Sequence, residues 1–185
     1  MKVSLFAALV AAATIACAAE RTVDRTPSGP TLPPTSLPMP PVVAESGGRG
    51  WMLLDGNRET LAEQAGRVLV LDFYATWCGP CRESTPHLVQ LQRRYGPQGL
   101  RVVGLNVGGP DDRFKVADFV REFAVQYDLG YPDQALTDLL FASDTRIPQT
   151  FIFDRRGQLI QRFVGFDSDV AAKLERAIAQ ALADR

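Results

Sequence analysis

The chain has 185 residues, 46% hydrophobic and 22% charged, which suits one ordinary globular domain with some additional segment. A formal net charge of −1 supplies no field that would attract nucleic acid or an anionic membrane surface. Three cysteines are too few for a disulfide framework; the spacing Cys78-X-X-Cys81 points to a redox pair, and Cys17, in an N-terminal apolar run, to targeting.

Residues 1–19 have the layout of an export signal: Met1-Lys2 is a short positive start, Val3 to Ile15 carries no charge, and Glu20-Arg21 ends the run. Three readings stay open. Thr14-Ile15-Ala16-Cys17 is close to a bacterial lipobox, with Thr14 where Leu is usual; Cys17 would then be lipidated. Ala16-Cys17-Ala18 also fits ordinary small-x-small cleavage, and an uncleaved anchor is the third reading. Each places the rest of the chain outside the cytoplasm. Residues 20–48, with Pro27, Pro30, Pro33, Pro34, Pro38, Pro40 and Pro41, are expected to form an extended tether that cannot fold alone.

The folded domain is expected over 49–185. Trp51 to Leu54, the turn Asp55-Gly56-Asn57, and Glu59 to Leu61 read as a hairpin. The continuous apolar run 68–74 reads as a strand buried on both faces. Pro80 to Tyr95 follows as a helix, with Leu88 and Leu91 on one face, and Leu100 to Val107 as a second buried strand. Phe114 to Phe123 has apolar residues at 116, 119, 120 and 123, which is helix spacing. Gln134 to Ala142 reads as another helix; Gln149 to Phe153 and Gln158 to Val164 form a hairpin about Arg155-Arg156-Gly157. Asp167 is placed to cap a last helix with Val170, Leu174, Ile178 and Leu182 as its stripe. The order predicts an α/β fold with a central mixed sheet flanked by helices, an N-terminal hairpin and a central helical insertion.

Trp77-Cys78-Gly79-Pro80-Cys81 falls where the strand 68–74 passes into a helix. Unpaired N–H groups at a helix start favour a thiolate over a thiol, so Cys78 is the expected exposed nucleophile. Cys81, one turn on, can attack a mixed disulfide at Cys78. Gly79 permits close approach of backbones, and Pro80 suits the first helical turn. The competing readings of the pair are an inert disulfide and half of a zinc site, for which Cys17 is remote and His87 is the only histidine. Asp72 stands alone in an apolar strand; burial would raise its pKa and fit it to exchange a proton with Cys81, the alternative being a satisfied polar group. Glu83 reads at least as readily as a solvated helix residue, and His87 reads as a surface or groove histidine rather than a ligand or base.

The Trp77–Cys81 motif, together with Leu71-Asp72-Phe73-Tyr74-Ala75-Thr76 before it and Pro86 after it, resembles the thioredoxin active site. Ile147-Pro148-Gln149-Thr150-Phe151 resembles that family's cis-proline loop, and the stretch from Trp51 onward is similar to the extracytoplasmic TlpA/ResA-like branch. The resemblance implies a thioredoxin fold and a thiol–disulfide oxidoreductase with no cofactor beyond the Cys78–Cys81 disulfide. It implies a cis Pro148, with Trp77, Gly79, Pro80, Ile147 and Pro148 meeting the substrate. It also implies an aspartate at 72, although the lysine that partners it in thioredoxin corresponds to Gly104. Protein clients and a membrane electron donor are the expected partners, and cytochrome c maturation is one expected setting. Peroxide reduction and copper handling are the alternatives; the spacing Thr76-Trp77-Cys78 argues against the first and the two-residue Cys spacing against the second.

Overall fold

A computed structural model describes residues 48–141 and 143–184. The export signal, Cys17 and almost all of the tether lie outside the described residues.

The strands are β1 (Gly50–Leu53), β2 (Arg58–Thr60), β3 (Val68–Tyr74), β4 (Leu100–Asn106), β5 (Asp128–Pro132), β6 (Gln149–Phe153) and β7 (Leu159–Val164). The helices are α1 (Gly79–Tyr95), α2 (Val116–Phe123), α3 (Gln134–Leu140) and α4 (Ser168–Ala183). The strands form one sheet in the order β2-β1-β5-β4-β3-β6-β7. β3, β4 and β5 run parallel, while β1, β6 and β7 pair antiparallel with their neighbours, so the sheet is mixed as expected.

Strand alternation divides the core into two layers. Val68, Val70 and Tyr74 of β3 face the side packed by α1, α2 and α4, together with Cys78 and Cys81. Leu69, Leu71 and Phe73 face the other side, where Trp51, Leu136, Leu140 and Phe141 pack. All seven residues of β3 are buried. Central strands covered on both faces read as unbroken apolar runs, which is why β3 and β4 stand out in the sequence.

Several boundaries differ from the sequence expectation. Residues 110–115 form a 3-10 segment, and α2 begins only at Val116. Phe114 lies in that segment and is 85% exposed, so it is not part of the helix stripe. α3 closes at Leu140 rather than at residue 142. β5 has no counterpart in the sequence expectation: three of the five residues in its Asp-Leu-Gly-Tyr-Pro are poor strand formers, yet it bridges β4 and β1. β7 starts at Leu159, with a register shift opposite Ile152 and Phe153. The cap of α4 is as expected, the Asp167 carboxylate accepting from the Val170 N–H at 2.8 Å.

Candidate active site

The pair sits at the C-terminal end of β3, where the chain turns into α1. Cys78 is the N-cap of α1, and its Sγ accepts from the Cys81 N–H at 3.3 Å. The sulfur therefore occupies the place usually held by a capping oxygen, against the positive end of the helix. Cys78 and Cys81 are joined as a disulfide with a Cα–Cα distance of 5.2 Å. Cys81 is fully enclosed and Cys78 is only 5% exposed, less open than the sequence suggested for a nucleophile. Trp77 beside it is 62% exposed, and Gly79 and Pro80 also face solvent.

The start of α1 is tied down from within. The hydroxyls of Ser84 and Thr85 donate to the Cys81 carbonyl at 3.0 and 2.8 Å. Pro86 lies inside the helix and brings no N–H to its ladder. The Ile147–Pro148 peptide is cis, as expected, and the Ile147 carbonyl oxygen lies 3.8 Å from Cys78 Sγ. Ile147 is half-buried and Pro148 buried, so the loop before β6 abuts the pair.

Asp72 lies under the helix on the face shared with Val70 and Tyr74, and it is 1% exposed. Burial pushes its carboxyl up to about 7, partly offset by the Thr150 hydroxyl, which donates to Oδ1 at 2.9 Å. Thr150 is the cross-strand partner of Asp72 in the β3–β6 ladder. On the other side, Asp72 is in register with Gly104 of β4. A Cβ built at Gly104 would come within 2.5 Å of Leu129 and 3.2 Å of Tyr127. Aromatic and aliphatic groups thus fill the space beside Gly104, and among the described residues Asp72 has no cationic hydrogen-bond partner. Burial also raises the Tyr127 hydroxyl well above its ordinary value, with the Asp72 and Tyr74 charges adding.

Glu83 is exposed on α1. His87 is half-buried against the Phe166 ring, 5.8 Å between centroids. Among the described residues no three His, Cys, Asp or Glu side chains converge as a metal set.

The Redoxin family model matches residues 38–178, which covers the whole sheet and the cysteine pair. The chain belongs to the Redoxin family. This redoxin is 30% identical over 118 residues to the thiol-disulfide oxidoreductase ResA of Geobacillus kaustophilus, a match that covers 60% of this chain and 63% of that protein. It is 34% identical over 116 residues to the thioredoxin-like protein YneN of Bacillus subtilis, covering 60% and 65%. The chain therefore spans a little under two thirds of the length of these curated relatives. A crystal structure of a thiol:disulfide interchange protein of the thioredoxin family from Chlorobium tepidum superposes with a TM-score of 0.61 at 26% identity, covering 72% of this chain and 92% of that one. These relatives place the redoxin in the TlpA/ResA-like branch of the thioredoxin superfamily, as its motifs suggest.

Sequence reading anticipated the pairing of Cys78 with Cys81 and the cis Ile147–Pro148 peptide that stands beside it. It missed Thr150, whose contact with Asp72 depends on the β3–β6 register, and the Thr85 and Ser84 hydroxyls, which look like ordinary helix residues.

Proposed function

We propose that this redoxin is a thiol–disulfide oxidoreductase that reduces disulfides of extracytoplasmic proteins through Cys78 and Cys81. The observation that carries the reading is the position of Cys78 as the cap of α1, disulfide-linked to Cys81 and beside the Ile147 carbonyl. In the reduced protein, the Cys78 thiolate attacks one sulfur of a client disulfide and expels the other as a thiolate. Asp72 takes the proton of Cys81, whose sulfur then attacks Cys78. The Cys78–Cys81 disulfide forms, the client leaves with two thiols, and two electrons have passed to it. The balance closes without a cofactor.

Trp77, Gly79, Pro80, Ile147 and Pro148 form the surface that meets the client. The backbone at Ile147, next to Cys78 Sγ, receives an extended client segment as an added strand. The export signal supports an extracytoplasmic setting, with lipidation at Cys17 as the favoured anchor. In that oxidising compartment a membrane electron donor must re-reduce the pair, and apocytochromes are the favoured clients by resemblance to the branch. The test is the reduction potential of the full chain together with two variants. A strongly negative potential, lost turnover in Cys78→Ser, and trapped mixed disulfides in Cys81→Ser are the expected results. Full turnover in Cys78→Ser would end this reading.

A further inference from the structure

The backbone of Thr76, two residues before Cys78, is held at its N–H by the inserted segment 110–123 and at its carbonyl by α1. On its N–H side stands Asp112, which is 2% exposed. Its carboxylate accepts from the Thr76 N–H at 2.9 Å and from the Asn106 amide at 2.7 Å, and it is also bonded to the Thr76 hydroxyl. On the carbonyl side stands Arg82 of α1, whose guanidinium donates to Thr76 O at 3.2 Å. Arg82 is in turn paired with Glu122 and stacked 4.9 Å from the Phe123 ring centre, both on α2.

Burial on its own would raise the Asp112 carboxyl; the bonds from Thr76 and Asn106 and the nearby Lys115 charge outweigh it and hold the group below its ordinary range. It is therefore a carboxylate at any pH where exchange runs. Gly108 makes the approach possible, since a Cβ there would stand 2.2 Å from Asp112 Oδ2. None of these contacts touches the sulfurs, and the bonds to the Thr76 N–H and C=O hold two successive peptide groups of the turn that carries Cys78, closed by the Cys78 N–H to Ala75 O at 3.2 Å.

We infer that Asp112 and Arg82 are positioning residues for the nucleophile: the insertion, directly through Asp112 and by way of Glu122 and Phe123 acting on Arg82, grips the backbone of Thr76 and so fixes Cys78 Sγ at the helix start. The inference rests on exchange through Cys78. A nucleophile displaced by about 1 Å can lose on the order of a hundredfold in rate, so loosening one side of the grip is expected to cost about tenfold.

The test uses the full chain, reduced with dithiothreitol. It measures the rate of exchange with oxidised glutathione and the pH midpoint of Cys78 alkylation by iodoacetamide, each per folded molecule. Asp112→Asn, Gly108→Ala and Arg82→Ala are expected to slow exchange by about tenfold. Arg82→Ala is also expected to raise the alkylation midpoint, because it both frees the turn and removes a cation. Arg121→Ala, in an exposed pair with Asp118 on the same insertion, is expected to leave both readouts unchanged. Wild-type exchange rates in Asp112→Asn and Arg82→Ala, with only a lowered melting temperature, would overturn the inference. Should Asp112→Asn fail to fold, Arg82→Ala decides alone, since that side chain is half-exposed. Retained activity in Cys78→Ser would instead strike at the exchange reading itself.

Discussion

Replacing Asp72 by Asn tests the electrostatics under the active-site helix without touching a sulfur. Burial lifts the Asp72 carboxyl from 3.8 to about 7 in the folded protein. Between those two values the unfolded chain is ionised and the folded one is protonated, so the unfolded state binds fewer protons and stability falls as pH rises. The stability attached to the protonated form is complete below pH 3.8, is lost across the window up to about 7, and is gone above it. A shift of roughly three units at 1.36 kcal/mol each puts the cost at about 4 kcal/mol by pH 8. Asparagine never ionises and can still accept from Thr150, but its amide N–H groups go unpaired at a cost of about 1–3 kcal/mol. Relative to wild type, Asp72→Asn is thus expected to be about 1–3 kcal/mol less stable at pH 4 and about 1–3 kcal/mol more stable at pH 8. Guanidinium unfolding of the oxidised protein at four or five pH values measures the difference. A difference that stays constant from pH 4 to pH 8 would refute the buried, high-pKa carboxyl and with it the proposed proton transfer from Cys81.

Other expectations follow from single contacts. Thr150→Val removes the hydroxyl that steadies the ionised form, so the Asp72 midpoint should move upward from about 7, read by carbon NMR of the carboxyl; an unmoved midpoint would show the hydroxyl to be idle. Phe73 is stacked on Phe141 at 5.3 Å and edge-on to Phe151 at 5.5 Å, so Phe73→Ala should cost about 3–5 kcal/mol in denaturant unfolding. Because Phe73 faces the layer opposite the cysteines, the folded fraction should keep its exchange rate; a slowed rate would contradict the two-layer division. Asp167→Ala removes the α4 cap and should cost about 1 kcal/mol, while Asp167→Ser should recover most of it. Equal melting points for the two variants would count against the cap.

The sequence made legible whatever depends on local pattern. β3 and β4 are unbroken apolar runs because the sheet is covered on both faces, and the Asp55-Gly56 turn marks the hairpin. The cysteine pair, the cis-proline loop and the lone Asp72 could be placed because each belongs to a short contiguous motif. β5 was hidden because its stability comes from pairing with β1 and β4, not from its own residues. Asp112 was hidden for a similar reason: it is one acidic residue in a polar stretch, and only the fold brings it to Thr76 from 36 positions away. The late start of α2 reflects Gly109-Pro110, which opens a tighter turn before the apolar stripe begins.

The strand order also sets a timetable for folding. The hairpin β1–β2 is the first part of the domain to be made, yet its sheet partner is β5, and Trp51 lies opposite Pro132. Asp133, which accepts from the Gly50 N–H at 2.9 Å and pairs with Arg58, comes just after that partner. At about 5–20 residues per second, the hairpin waits at least several seconds after its synthesis for the strand it must join. During that time Trp51, fully enclosed in the finished molecule, has no layer to enter, and the open side of β1 is free to pair with any extended chain nearby. A nascent chain cut short before β5 is therefore a strand-pairing hazard in a way that one cut short after Asp133 is not.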